Sequence, residues 1–141
     1  MVDQGEMDIG KLITGMNPKL NEGEFVFCLV PEANALYNSI SRSDVLMEFK
    51  EAEGITLILK KEVADRFASE GLSYEYVAAW ITLEIHSALE AVGLTAAVSK
   101  TLAAADISAN IVAAYHHDHI FVNIKDGKKA RETLLKLSGT N

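Results

Sequence analysis

Between Trp80 and His86 apolar and polar positions alternate, with Ile81, Leu83 and Ile85 on one side and Thr82, Glu84 and His86 on the other. That is the pattern of a strand with one buried face. Leu94, Val98, Thr101, Leu102 and Ala105 then recur at helical spacing and predict a helix over 95–105, whose alanines raise its propensity. Asp106 ends the run. Ala109 to Tyr115 is apolar on both faces and predicts an interior strand. His116-His117-Asp118-His119 interrupts it before Ile120-Phe121-Val122-Asn123-Ile124, so two strands meet in a hairpin. In a last helix Ala130, Thr133, Leu134 and Leu137 form the inner stripe, Lys128, Lys129, Arg131 and Lys136 the solvated side, and Gly139 lies just past the end. The order strand, helix, strand, strand, helix begins the split βαβ arrangement of ferredoxin-like folds, which a further strand normally closes. Another segment must supply that strand, or the sheet edge stays open.

The first half repeats the theme loosely. Phe25 to Val30 reads as a buried strand, Val45 to Lys50 and Ile55 to Lys60 as a strand pair, and Glu62 to Ser69 as a short helix. The first helix is degenerate, since Pro31 to Ser43 offers only Ala35, Leu36 and Ile40 as one apolar turn. Ahead of it come an amphipathic segment, Asp8 to Thr14, and Asn17-Pro18-Lys19-Leu20, which the turn at Asn21-Glu22-Gly23-Glu24 is expected to fold back on the first strand. A boundary is expected near Gly71, which can close a helix in the left-handed conformation, giving units 1–71 and 72–141. The expected fold is α+β: two ferredoxin-like units in one compact body, each an antiparallel sheet with helices on one face. Neither unit alone buries much surface.

Composition narrows the function. The chain has 141 residues, 49% of them hydrophobic, with two prolines, which suits a packed core and not a disordered chain. The net charge of −7 opposes binding to phosphate backbones or anionic lipid, so no nucleic-acid partner is expected. The acids are uneven, with 13 acidic and 7 basic residues in 1–70 against 7 and 6 in 71–141. No apolar run reaches the roughly 18 residues of a membrane span, and the acidic start Met-Val-Asp-Gln-Gly-Glu does not suit a signal peptide. A cytoplasmic protein without a membrane partner is expected. A single cysteine, Cys28, excludes an internal disulfide or a thiolate metal cluster, and its place in an apolar strand marks it as a packed thiol.

The junction from His86 to Thr95 joins a strand to a helix N-terminus, where unsatisfied N–H groups and a positive dipole end suit a carboxylate or phosphate. Gly93 would admit a ligand close to the backbone, and Thr95 would cap the helix; the structural alternative is that they merely make the turn and the cap. His86 and Glu90 bracket the turn and are candidates for an amino group or a metal. All four histidines, His86, His116, His117 and His119, fall in the second half. Their spacing is not that of a closed zinc site, and a solvated hairpin tip with pH sensitivity is the simpler reading. Phosphate-loop, dinucleotide and nucleophile-elbow patterns are missing, so no cofactor and no catalysis are expected.

The stretches Ile-Thr-Leu-Glu-Ile-His-Ser-Ala-Leu-Glu-Ala-Val-Gly-Leu-Thr-Ala-Ala-Val at 81–98 and Ala-Asp-Ile-Ser-Ala-Asn-Ile-Val-Ala-Ala-Tyr-His-His-Asp-His-Ile-Phe-Val at 105–122 resemble an ACT-type regulatory domain. The whole chain resembles small bacterial proteins built of two ACT-like halves, most without an assigned role. The resemblance implies an effector amino acid bound at an interface between ACT units. Carried over by motif, the contacts are Val92, Gly93, Leu94 and Thr95 in the turn and Asn110 and Ile111 at the start of the second strand. The Asn110 amide can donate to a carboxylate and accept from an ammonium group. The corresponding first-half turn, Pro31-Glu32-Ala33-Asn34, has no glycine, which argues for one competent turn per chain. The expected function is non-catalytic amino-acid sensing by a homodimer. The alternatives are an adaptor that pairs through an open sheet edge, or a small metal-dependent or acid–base enzyme using His86, Glu90 and the 116–119 cluster.

Overall fold

The computed structural model describes residues 5–32 and 34–139, so Ala33 of the first-half turn and the first four residues lie outside the described residues. The elements in chain order are α1 (Ile9–Gly15), β1 (Pro18–Leu20), β2 (Phe25–Val30), α2 (Ala35–Ser39), β3 (Val45–Glu51), β4 (Gly54–Lys60), α3 (Lys61–Arg66), β5 (Val77–Leu83), α4 (Leu94–Ala104), β6 (Ala109–Ala113), β7 (Asp118–Asn123) and α5 (Gly127–Leu137). One-turn 3-10 helices add Arg42–Asp44, Ala68–Glu70 and Ile124–Asp126. No helix is long and apolar enough to cross a membrane among the described residues.

The chain divides into two compact units, and the division is not a cut at Gly71. One unit is residues 23–78; the other joins 1–22 to 79–141. Gly71 does adopt the left-handed conformation, φ +96°, but it closes only the turn at 68–70. The physical reason for the different division is the partner of β1. Pro18–Leu20 do not fold back on β2; they pair antiparallel with β5, Pro18 opposite Leu83 and Leu20 opposite Ile81. This supplies the strand missing from the second half, giving the order β1-β5-β7-β6.

In that unit the sheet buries Ala79, Ile81, Leu83, Ile120 and Val122 against Leu94, Val98 and Leu102 of α4 and Ala130 and Leu134 of α5. Leu12 and Met16, at the N-terminal end of the chain, complete the same core. Full burial of a leucine contributes about 1.5–3 kcal/mol, so α1 is held by packing despite having only seven residues. The basic face of α5 is not purely solvated: Lys129 Nζ donates to the Ala105 carbonyl past the end of α4 at 2.8 Å, and Arg131 Nε donates to the Pro18 carbonyl at 3.1 Å. β6 lies at the edge of the order and is only half-buried or exposed, so the expectation of an interior strand is corrected. Its apolar residues are small on the outer positions, Ala109 and Ala113, and two-sided apolarity there does not signal burial.

The unit 23–78 is the same theme in reduced form. β2 pairs antiparallel with β4, β4 with β3, and the first two residues of β5 close the other side, Ala78 opposite Phe25 and Val77 opposite Val26. Val26, Cys28, Val30, Ile55, Leu57 and Leu59 pack on Val63 and Ala64 of α3 and on Ile40 after α2. Burial pushes the Cys28 thiol up to about 11, consistent with its packing role. Each unit is thus an α+β, ferredoxin-like body with helices on one face of its sheet.

Candidate functional site

After Leu83 the chain leaves the sheet, and residues 5–17 guide it toward α4. The Asn17 carbonyl accepts the Glu84 N–H at 2.9 Å, and the Asn17 amide donates to Glu84 Oε1 at 3.0 Å. Glu6 then forms a parallel bridge with Ser87: its N–H donates to the His86 carbonyl at 2.8 Å, and its carbonyl accepts the Ala88 N–H at 3.0 Å. The Ala91 N–H donates to the Ala88 carbonyl at 3.0 Å, which turns the chain toward Gly93.

Gly93 caps α4 with φ +106° and ψ −21°, a left-handed conformation that disfavours a side chain. A Cβ there would sit 3.3 Å from Ile9 Cδ1, so one flank of the corner is covered by α1. Thr95 is not the cap. It is the second helical residue, because Gly93 makes the turn one step earlier, and among the described residues no side chain caps the helix. The first bond of the ladder runs from the Ala97 N–H to the Gly93 carbonyl at 2.9 Å. The N–H groups of Leu94, Thr95 and Ala96 precede that bond at the positive end of an eleven-residue helix. The Leu94 side chain is buried, whereas Thr95 and Ala96 are exposed and Val92 is 82% exposed. The open flank is therefore the side of Val92, Thr95 and Ala96.

The other expected contacts divide. Glu90 is exposed on the turn, and His86 is half-buried with its ring edge-on to that of His116, centroids 4.8 Å apart. Ile111 packs against the core that contains Leu94. Asn110 does not join the turn, since strand alternation puts it on the opposite face from Ile111, beside Phe121 in the register. The roles of Glu6 and Ile9 at this corner were not foreseen. The amphipathic pattern of 8–14 signalled a helix there but not its partner.

The histidines form a row of rings. Centroids are 6.1 Å apart for His116 and His117 and 6.5 Å for His117 and His119, and Tyr115 lies edge-on to His116 at 5.0 Å. Among the described residues no group of three His, Cys, Asp or Glu is placed to hold a metal ion. His117 Nδ1–H donates to the Ile85 carbonyl at 3.2 Å, pinning the hairpin to the start of the junction. His119 Nδ1 lies 3.0 Å from the Trp80 indole nitrogen and 3.2 Å from Thr82 Oγ1. Burial and the neighbouring His117 hold the His119 imidazole below its ordinary value, partly offset by Asp118. Burial likewise raises the Asp118 carboxyl, against the opposing effects of His119, a hydrogen bond with Ser87, and His117.

With this geometry in place, known proteins give a consistent comparison. ACT-domain profiles match residues 4–79 and again 75–136. No curated protein matches the sequence. A protein of unknown function from Vibrio cholerae, described as a possible transport protein, is 40% identical, with 92% of this chain and 94% of that one covered and a TM-score of 0.78. A protein from Agrobacterium tumefaciens has 13% identity, covers 87% of this chain and 89% of its own, and gives a TM-score of 0.65. The regulatory subunit of aspartate kinase from Thermus flavus, at 9% identity, shares the fold with a TM-score of 0.61 over 86% of this chain and 96% of its own. The fold defines a pair of ferredoxin-like modules. The chain belongs to the ACT-domain family, with two ACT domains in tandem.

Proposed function

We propose that this protein is a non-catalytic regulatory protein that binds a small molecule, an amino acid in the first instance, at the start of α4. The observation that carries this reading is the uncapped first turn: Gly93 brings no side chain, and among the described residues no side-chain acceptor meets the N–H groups of Leu94, Thr95 and Ala96. A ligand carboxylate would accept from these groups and gain from the helix dipole. It would approach past Val92 and Thr95, because Ile9 covers the other side of Gly93. Ile111 packs against the core that holds Leu94. Asn110 would reach such a ligand only from another ACT unit, since its strand position faces away from this turn. The likeness to a regulatory subunit of aspartate kinase supports the sensing role through fold alone.

A homodimer is the assembly we propose, joined through β3. This strand ends the order of its unit, and Leu46 and Phe49 on it are 39% and 63% exposed. An antiparallel pairing centred on Phe49 would set the two Phe49 rings opposite one another and each Glu48 opposite Lys50 of the second copy, a favourable cross-strand arrangement. Sedimentation tests it: Phe49→Glu should convert a dimer into a monomer, and a wild-type chain that sediments as a monomer would refute it.

The ligand reading is tested by a thermal-shift screen with the twenty amino acids and divalent metals. Stabilisation by one amino acid, about 2.7 kcal/mol at a hundredfold excess over Kd, is the expected result. Stabilisation by zinc that His117→Ala removes would favour the enzyme alternative, and no shift with any compound would favour the adaptor.

A further inference from the structure

His119, on β7, meets two different polar groups on β5. The indole N–H of Trp80 can only donate, so at 3.0 Å the His119 Nδ1 must be the acceptor and carry no proton. Thr82 Oγ1 lies 3.2 Å from the same nitrogen and has either role available. The side-chain amide of Asn21, just past β1, donates to Thr82 Oγ1 at 3.0 Å and to the Trp80 carbonyl at 3.2 Å, holding the hydroxyl in place. The rings of Trp80 and His119 are in contact at 5.7 Å, and Trp80 stacks on Phe121 at 6.4 Å.

We propose that His119 is a proton-operated latch between β7 and β5. In the neutral imidazole the latch is closed, with Trp80 donating to Nδ1. A proton arriving at Nδ1 puts two donors face to face, so the indole bond breaks and the imidazolium donates instead to Thr82 Oγ1, which Asn21 already positions. No bond between heavy atoms changes; one proton is taken up from solvent to form the Nδ1–H bond, the hydrogen bond from Trp80 is lost and one to Thr82 is made. The charged groups about the latch are Asp118 and His117 from its own hairpin, and Lys19 of β1, which lies across β5 opposite Thr82. Thr82 and Trp80 of β5 and Val112 of β6, opposite His119 in the register, carry no charge.

The sign follows from the same surroundings. Burial and His117 disfavour the imidazolium in the folded protein, so the latch opens below the ordinary histidine range. Stability is complete above the ordinary value near 6.5 and declines as pH falls from there toward the depressed folded value. The effect is distinct from that of Asp118, whose raised carboxyl acts in the acidic range near and above 3.8.

Trp80 is the only tryptophan, so its indole resonance and emission report the latch directly. In the wild-type chain the Trp80 indole N–H and the His119 ring signals are followed by NMR from pH 8 to 4.5, alongside tryptophan fluorescence. Both signals should move with one shared midpoint below 6.5. His119→Gln, whose amide oxygen still accepts from the indole, should abolish the Trp80 step, and His117→Gln should raise its midpoint. Independent midpoints for Trp80 and His119 in the wild type, or a Trp80 step that persists in His119→Gln, would overturn the proposal.

Discussion

The junctions from β2 to α2 and from β5 to α4 are built from the same plan and end differently. After β2, Asn34 places its side-chain oxygen 2.7 Å from the Leu36 N–H, so the short helix α2 begins with its own acceptor. After β5, Gly93 occupies the corresponding cap, and among the described residues the first turn of α4 has no side-chain acceptor. The first junction satisfies itself and leads into five helical residues; the second leaves donors for something else at the head of eleven. The first junction therefore meets its own donors, and the second is the one at which the proposed ligand would bind.

The strongest way to break this contrast is to remove what shapes the second junction. Leu12 is fully buried in that unit and anchors α1, which carries Ile9 against Gly93. Leu12→Ala should destabilise the protein by about 2–5 kcal/mol, measured by denaturant unfolding. A loss under 1 kcal/mol would mean that the N-terminal segment is not part of this core. Gly93→Ala should cost about 1–2 kcal/mol through its left-handed backbone, again by denaturant unfolding. Its counterpart Asn34→Ala should cost about 1 kcal/mol by a different route, the loss of a cap, and Asn34→Gly should cost only a few tenths. The smallest effect sharpens the comparison most. Ala96→Asp adds a negative charge to the exposed first turn of α4 and should stabilise the protein by about 0.3–1 kcal/mol. The same carboxylate should repel the ligand, so the amino-acid thermal shift should disappear from a better-folded protein.

Local pattern carried much of this architecture. Ile81 and Leu83 alternate against Thr82, and Val98 and Leu102 fall one helical turn apart, so strand β5 and helix α4 were legible without tertiary knowledge. Pairing across long separations was not. Three residues, Pro18–Leu20, contain too little pattern to specify Leu83 rather than a nearby strand as their partner. That uncertainty moved the unit boundary, because α1 and β1 follow their partner. At the site, Gly93 was readable as a turn, but threonine two residues later imitates a cap. The face of Asn110 follows from the parity of Ile111. The bonds from Trp80 and Thr82 to His119 join residues 37–39 positions apart, a relation the spacing of histidines does not express.

The three amides at the head of α4 can be observed one by one. Amino acids titrated into the labelled protein should produce, for at least one of them, saturable amide shifts that are largest at Leu94, Thr95 and Ala96 and absent in Ala96→Asp. Saturable binding that leaves those three resonances unmoved, or no saturable change with any amino acid, would contradict the account.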